Sequence, residues 1–121
     1  LSQRWFDDPV CFKSQMEDCS FNKMNFVMAQ GADIVNGVAE IEIGRTAIGQ
    51  SRSSIESSVT WAATAVLGSL SQFDHVAYCL PPGTQSGWIA YGYFGSYRTV
   101  YNDNWCTYVS AQMHEIGHNM N

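Results

Sequence analysis

The chain has 121 residues, of which 45% are apolar and 13% aromatic, so it can form the core of one small domain or of part of one. Its formal net charge of −5 comes without a basic run, which argues against a nucleic-acid partner and against binding to an anionic membrane surface. No apolar stretch approaches the roughly 20 residues of a membrane span, so we expect a chain that is not inserted in a membrane.

The first third of the chain gives two local predictions. Residues 1–23 contain an Asp-Asp-Pro run and mixed polar residues, which predicts an irregular segment. Asn36-Gly37, followed by alternating apolar and polar residues over 38–43, is the strongest hairpin signal in the sequence. A strand over 38–43 buries one face, so Glu40 and Glu42 on the other face are expected in solvent rather than in a catalytic site.

The four cysteines allow three pairings, and an even count in a compact chain favours an oxidising compartment. We favour the pairs Cys11–Cys19 and Cys79–Cys106, with four free thiols in a cytosolic protein as the alternative. Residue 1 is Leu, and the first ten residues lack the basic and apolar regions of a signal peptide, so we expect the natural chain to begin upstream.

A helix is predicted over residues 54–70, because Ser53 and Glu56 have the spacing of a capping box and apolar residues then recur at helical intervals. Residues 74–80 have the composition of a strand, which the following Pro-Pro-Gly ends. His75, a lone histidine at the start of this strand, is interpreted as structural rather than as a metal ligand.

Residues 87–101 alternate glycines with aromatic residues, which predicts one or two strands joined near Gly95-Ser96. Glycine lets other backbone approach closely, as when a peptide substrate adds to a sheet edge. Aromatic residues that pack beneath an ordinary sheet explain the same pattern equally well, so the sequence leaves both interpretations open.

The last predicted helix covers residues 105–120 and can be capped by the Asn-Asp-Asn run at 102–104. It contains His114-Glu115-x-x-His118, in which two histidines four residues apart lie on one face and can bind one tetrahedral zinc ion. Glu115 lies next to that face and can act as the general base that takes a proton from the attacking water.

An apolar stripe on this helix, opposite the histidines, predicts the face that packs on the core; it consists of Val109, Met113, Ile116 and Met120. The alternative is a helix whose histidines are only solvated or hydrogen-bonded. Catalytic zinc normally has three protein ligands, and the extended motif H-E-x-x-H-x-x-G-x-x-H places the third one three residues beyond Asn121. The isolated chain is therefore expected to be inactive.

Four segments together carry a family resemblance: DHVAYCLPPG at 74–83, WIAY at 88–91, VYNDNWC at 100–106 and QMHEIGHNMN at 112–121. They resemble the gametolysin-type metallopeptidases, which are secreted zinc endopeptidases of the metzincin group. Weaker similarity extends to residues 19–20 and 36–38, so the resemblance covers most of the chain.

The resemblance implies an α+β fold: the upper half of a zincin-like domain, with a twisted mixed β-sheet and two main helices, the last of which carries the histidines. Residues 1–121 would then be a partial catalytic domain without its lower part. His114 and His118 would be ligands of Zn²⁺ and Glu115 the general base. Asn121 stands where most metzincins have glycine, and asparagine is the next residue best able to adopt the left-handed conformation needed there.

The resemblance also implies secretion and a protein or peptide substrate, in particular extracellular-matrix proteins of algal cell walls, with no nucleic-acid or membrane partner. Two alternatives remain. One is a non-catalytic descendant that keeps the helix as scaffold. The other is a secreted binding module that uses an aromatic platform for carbohydrate or peptide, made of Trp88, Tyr91, Tyr93 and Tyr97.

Overall fold

Three short strands form a mixed sheet at the centre of the fold. The computed structural model describes residues 1–120, and the left-handed conformation predicted for Asn121 lies outside them. The central strand β3 pairs in parallel with β1 and antiparallel with β2; the strands are β1 (Val76–Leu80), β2 (Ala90–Gly92) and β3 (Arg98–Asn102). The predicted α+β class, the mixed sheet and the strand before Pro81 are confirmed, and residues 87–101 form two strands.

Helices cover both faces of this sheet; the α-helices are α1 (Phe12–Cys19), α2 (Arg52–Leu67) and α3 (Val109–Asn119). Successive residues of a strand point to opposite faces, so Val100 of β3 packs in one cluster with Ile55 of α2, whereas Tyr101 packs with Ala111 of α3. The sheet therefore lies between α2 on one side and α3 on the other. Within residues 1–120, every helix is too short or too polar to cross a lipid bilayer.

The prediction of an irregular segment over residues 1–23 is wrong. A π-helical turn spans Gln3–Asp7, and α1 follows it. Phe12 and Met16, four residues apart on α1, are buried against Ile116 of α3. Tertiary packing against α3 thus stabilises a helix that the polar residues of this segment do not predict.

One of the two predicted disulfides is present. Cys79 of β1 is bonded to Cys106, which ties the sheet to the segment just before α3. Cys11 and Cys19 are both free, so their predicted pairing is wrong. Cys11 caps the start of α1 and Cys19 is its last residue. Eight residues of helix rise roughly 12 Å, well beyond the about 7 Å over which two Cα atoms can be bridged.

The hairpin prediction is only partly confirmed. The turn at Asn36-Gly37 forms, and Val35 and Val38 exchange both backbone hydrogen bonds across it, at 2.8 and 3.0 Å. The predicted strand over 38–43 is not formed, because beyond Val38 no neighbouring segment within residues 1–120 pairs with its backbone. Its side chains still alternate as predicted: the isoleucines at 41 and 43 pack on the core, and Glu40 and Glu42 are exposed.

Helix α2 is confirmed with shifted ends, since it spans Arg52–Leu67 rather than 54–70. Its N-cap is Ser51, whose hydroxyl accepts a hydrogen bond from the backbone amide of Ser54 at 3.2 Å. The capping box predicted between Ser53 and Glu56 is wrong, because the Glu56 carboxylate points toward the sheet and is bonded there.

Glu56 joins α2 to the edge strand β2 and to β3. Its side chain accepts hydrogen bonds from the hydroxyls of Tyr91 and Tyr93, both at 2.9 Å, and lies 3.8 Å from the guanidinium of Arg98. Only 9% of Glu56 is exposed. Burial, followed by the hydrogen bond to this carboxylate, raises the pKa of both tyrosines, so they remain neutral donors. This network fixes β2 relative to α2.

Replacing Glu56 by glutamine should destabilise the protein by about 1–3 kcal/mol, because the charged acceptor of two tyrosines and the partner of a half-buried arginine is lost. Chemical denaturation measures the free energy of unfolding. Glu42→Gln is the matched control, since Glu42 is exposed and its substitution should change that free energy by less than about 0.5 kcal/mol. Equal effects of the two substitutions would show that the Glu56 network does not stabilise the fold.

Candidate metal centre

Helix α3 carries the two histidines and is packed flat on the sheet. It begins at Val109 rather than at residue 105, because a 3₁₀ helix over Asp103–Thr107 precedes it. The predicted cap at 102–104 is wrong, since the N-cap residue is Tyr108, whose side chain makes no capping hydrogen bond. At the start of the helix, the buried Gln112 amide donates a hydrogen bond to the carbonyl of Cys106 at 2.6 Å. The disulfide to Cys79 and this hydrogen bond together fix where α3 starts.

The two histidines converge on one point of the outer face of α3. The Nε2 atoms of His114 and His118 are 3.2 Å apart, and the two rings are nearly perpendicular, with centroids 4.8 Å apart. Two Zn–N bonds of about 2.0–2.1 Å at a tetrahedral angle place their nitrogens about 3.3 Å apart. The separation observed here therefore fits two ligands of one zinc ion, and ligand atoms of His114, Glu115 and His118 all lie within 4.8 Å of one another.

Glu115 lies on the buried side of α3, with 6% of the residue exposed. Burial raises the pKa of its carboxyl, and the neighbouring His114 and His118 partly oppose this shift. Its Oε2 atom is enclosed and has no hydrogen-bond partner among residues 1–120. A buried carboxylate without a partner is costly, and accepting a proton lowers that cost, so Glu115 is suited to act as a base.

The predicted core stripe of α3 is only partly correct. Ile116 is buried and Met113 and Val109 are half-buried, but Met120 is exposed. The buried face instead includes three polar residues at helical spacing, Gln112, Glu115 and Asn119. The histidines lie on the outer side as predicted, with His114 exposed and His118 half-buried.

Gly92 of β2 sets how closely α3 approaches the sheet. A Cβ atom on Gly92 would lie 2.6 Å from the backbone carbonyl oxygen of Glu115. This distance is too short for a side chain, so the strand and the helix backbone touch here only because residue 92 is glycine. The sequence-based expectation that a glycine in this segment allows close backbone approach is confirmed at this position, with the helix as the partner.

Gly92→Ala should therefore force β2 and α3 apart and destabilise the protein by about 1–3 kcal/mol, the usual cost of overpacking. Gly87→Ala is the matched control, because a Cβ atom there meets no atom within 4 Å. Thermal or chemical unfolding of the two variants measures the difference. If Gly92→Ala were as stable as Gly87→Ala, the close packing of β2 on α3 would be disproved.

His75 lies apart from the two convergent histidines, which agrees with its interpretation as structural. Its Nδ1 atom is 3.1 Å from the Oδ1 atom of Asn119, and its ring packs against Phe26. The Asn119 amide nitrogen donates to the carbonyls of Tyr93 and Arg98, both at 3.0 Å. Sequence reasoning missed Asn119, although a polar residue four positions after Glu115, on the same helical face, is a usable signal.

Phe94 is the second neighbour of the site that sequence reasoning missed. It lies in the turn between β2 and β3, and its ring is 4.7 Å from the His118 ring, centroid to centroid, in an edge-to-face arrangement. The aromatic pattern over 87–101 did not distinguish it from the other rings. The contact is visible only in the structure, where the end of α3 lies next to this turn.

The four aromatic residues considered as a binding platform all make contacts within the fold, and Tyr97 packs against the core cluster that contains Val100. Trp88 is 8% exposed, and the Tyr91 ring packs between those of Trp88 and Tyr93. The hydroxyls of Tyr91 and Tyr93 are directed to Glu56, and the Arg52 guanidinium covers the rings of Trp88 and Tyr91. These side chains stabilise the sheet, so the ordinary packing interpretation of the aromatic pattern holds for them.

Comparison with known protein families gives a match. The model of the family described as Gametolysin peptidase M11 matches residues 8–121, nearly the whole chain. No curated protein and no solved structure matches the sequence or the fold.

Proposed function

Because this chain belongs to the gametolysin peptidase M11 family, a family of metallopeptidases, we propose that it is the part of a zinc endopeptidase in which His114 and His118 bind the metal and Glu115 is the general base. The observation that supports this most directly is the 3.2 Å separation of the two Nε2 atoms beside a buried carboxylate. Two histidines four residues apart on one helical face, with a glutamate next to the first of them as base, are typical of zinc peptidases.

In this proposal each residue has a separate task. Zinc, when bound, polarises the substrate carbonyl and lowers the pKa of a water molecule. Glu115 accepts the proton of the attacking water and later delivers it to the leaving amine. Burial of Glu115, which raises its pKa, makes the carboxylate a better proton acceptor. Because His114 is exposed on the outer face of α3, a substrate can reach the site from that face.

The chain would be a partial catalytic domain of the metzincin type. Two histidines provide two of the three ligands that catalytic zinc normally takes, and the extended motif places the third three residues beyond Asn121. We therefore assign residues 1–121 to the upper part of the domain. Reading the sequence beyond Asn121 tests this assignment: histidine at the third position supports it, and a residue that cannot bind zinc there contradicts it.

The proposed substrate is a protein, in particular one of the extracellular matrix or cell wall. Strand β2 pairs only with β3 among residues 1–120, so its second edge can accept an extended peptide by β-strand addition. This observation favours the interpretation in which the backbone edge of β2 binds substrate, while the aromatic side chains of this segment pack within the fold. The Cys79–Cys106 disulfide suits an oxidising compartment and supports the proposal of secretion.

The experiment that tests the function uses the whole catalytic domain, including the residues after Asn121. Metal analysis should find one zinc per chain, and a denatured protein substrate such as casein should be cleaved. A chelator should abolish cleavage, and added zinc should restore it. Bound zinc without cleavage of any protein substrate would indicate the non-catalytic alternative, and absence of zinc binding would overturn the proposal.

A further inference from the structure

The turn between β2 and β3, residues 93–97, is fastened to the end of the metal-site helix by three hydrogen bonds. The Asn119 side-chain amide donates to the carbonyl of Tyr93, the first residue of the turn, and to that of Arg98, which follows the turn, at 3.0 Å each. Within the turn, the backbone amide of Gly95 donates to the carbonyl of His118 at 3.1 Å. The last turn of α3 and this sheet turn therefore hold each other in place.

The Asn119 amide is held in one orientation. Its Oδ1 atom pairs with the Nδ1 atom of His75, and its nitrogen faces two carbonyl oxygens, which accept hydrogen bonds but cannot donate them. A rotation of the amide by 180° would put an oxygen against both carbonyls. Asn119 is 6% exposed, so water does not compete for these bonds.

The fastened turn presents Phe94 to the His118 imidazole. Phe94 is 68% exposed, so its contribution to the hydrophobic core is small. The ring nevertheless packs at 4.7 Å from the His118 ring, and the His114 ring lies at 4.8 Å from that same imidazole. The His118 ring is thus confined by Phe94 and His114, with its Nε2 atom directed at that of His114.

We infer that Phe94 and Asn119 are positioning residues for the metal ligand His118: Asn119 fastens the 93–97 turn to the end of α3, and the turn sets Phe94 against the imidazole. This inference rests on the proposed function, because it assumes that His118 binds zinc. Groups that orient a ligand without touching the metal typically contribute 10–100-fold to metal affinity.

Phe94→Ala provides the main test, because this exposed side chain can be removed with little effect on the fold. The dissociation constant for Zn²⁺ is measured in the whole catalytic domain by competition with a chromophoric chelator, without substrate. We expect Phe94→Ala to bind zinc about 10–100-fold more weakly than wild type. Phe94→Tyr should restore the wild-type affinity, because the ring is kept and the added hydroxyl faces water. Asn119→Ala should weaken zinc binding over the same range.

Phe21→Ala is the matched control. Phe21 is also an exposed aromatic residue in a turn, at 87% exposure, and lies outside the helix and turn that form the site. Its substitution should leave zinc affinity unchanged, and the unfolding temperatures of metal-free Phe21→Ala and Phe94→Ala should be similar. The visible absorption spectrum of the Co²⁺-substituted protein gives a second readout, since a misplaced imidazole changes the ligand field.

Two outcomes would overturn the inference without contradicting the proposed function. One is Phe94→Ala binding Zn²⁺ within twofold of wild type. The other is a change in KM for a peptide substrate with unchanged Zn²⁺ affinity, which would make Phe94 a substrate contact. Failure of the wild-type domain to bind zinc would instead refute the proposed function itself.

Discussion

Glu115→Gln is expected to keep zinc affinity close to wild type and to lose about 10²–10⁴-fold of kcat in the complete domain, the range that a general base contributes. Glutamine has nearly the same shape but cannot accept the proton of the attacking water. His114 and His118, the proposed ligands, stay on the outer face of α3 and are not altered. Zinc content by metal analysis and kcat on a casein-type substrate are the two measurements.

The stability of the same variant separates chemistry from misfolding. Glu115 is buried, and its Oε2 atom has no hydrogen-bond partner within residues 1–120. Removing the buried charge should leave the metal-free protein at least as stable as wild type. The exposed control Glu42→Gln should keep both zinc and activity. Full activity in a zinc-loaded Glu115→Gln protein would remove Glu115 from the mechanism.

The part of the site that could be predicted from the sequence is the part that is local. His114 and His118 are four residues apart, and helical geometry alone brings two such side chains to one face. Strand β1 could be predicted equally well, because its β-branched and aromatic residues are followed directly by Pro81. In both cases the signal and the structure lie within about ten residues.

The buried face of α3 was not predictable from an apolar stripe. Three polar residues lie on it, and two of them are tied by hydrogen bonds to backbone carbonyls: Gln112 to that of Cys106, and Asn119 to those of Tyr93 and Arg98. The cost of burying a polar group is offset where such partners exist, and the sequence does not show which carbonyls will come close. Two buried side-chain oxygens on this face have no hydrogen-bond partner among residues 1–120, Oε1 of Gln112 and Oε2 of Glu115, and Glu115 is also the proposed base.

The same limitation explains the errors in the first 43 residues. Helix α1 is stabilised by contacts of Phe12 and Met16 with Ile116, about a hundred positions later in the chain. The segment 38–43 has the alternation of a strand and buries its isoleucines, yet beyond Val38 it lacks a partner for its backbone among the described residues. Alternation predicts which side chains are buried, but a strand also requires a neighbouring backbone.

His118→Ala, and likewise His114→Ala, should abolish zinc retention through gel filtration and with it all peptidase activity. A single histidine of the motif then remains beside any further ligand, and an ion with two protein ligands is held poorly. The fall in zinc affinity should exceed the about 10–100-fold change expected when a group that does not bind the metal is removed. The metal-free proteins should stay folded, because His114 is exposed and His118 only half-buried.

His75→Ala is the matched histidine control for this experiment. His75 is the third histidine of the chain, and its Nδ1 atom pairs with Asn119 rather than pointing at the Nε2 pair. The variant should therefore still bind one zinc per chain when zinc is in excess, as metal analysis would show, because Asn119 keeps its two hydrogen bonds to the carbonyls of Tyr93 and Arg98. The free energy of unfolding should fall only by the contribution of the one lost hydrogen bond. If His118→Ala retained zinc and His75→Ala lost it, the assignment of His118 as a zinc ligand would be overturned. The short distance between His114 and His118 would then result from helix geometry alone.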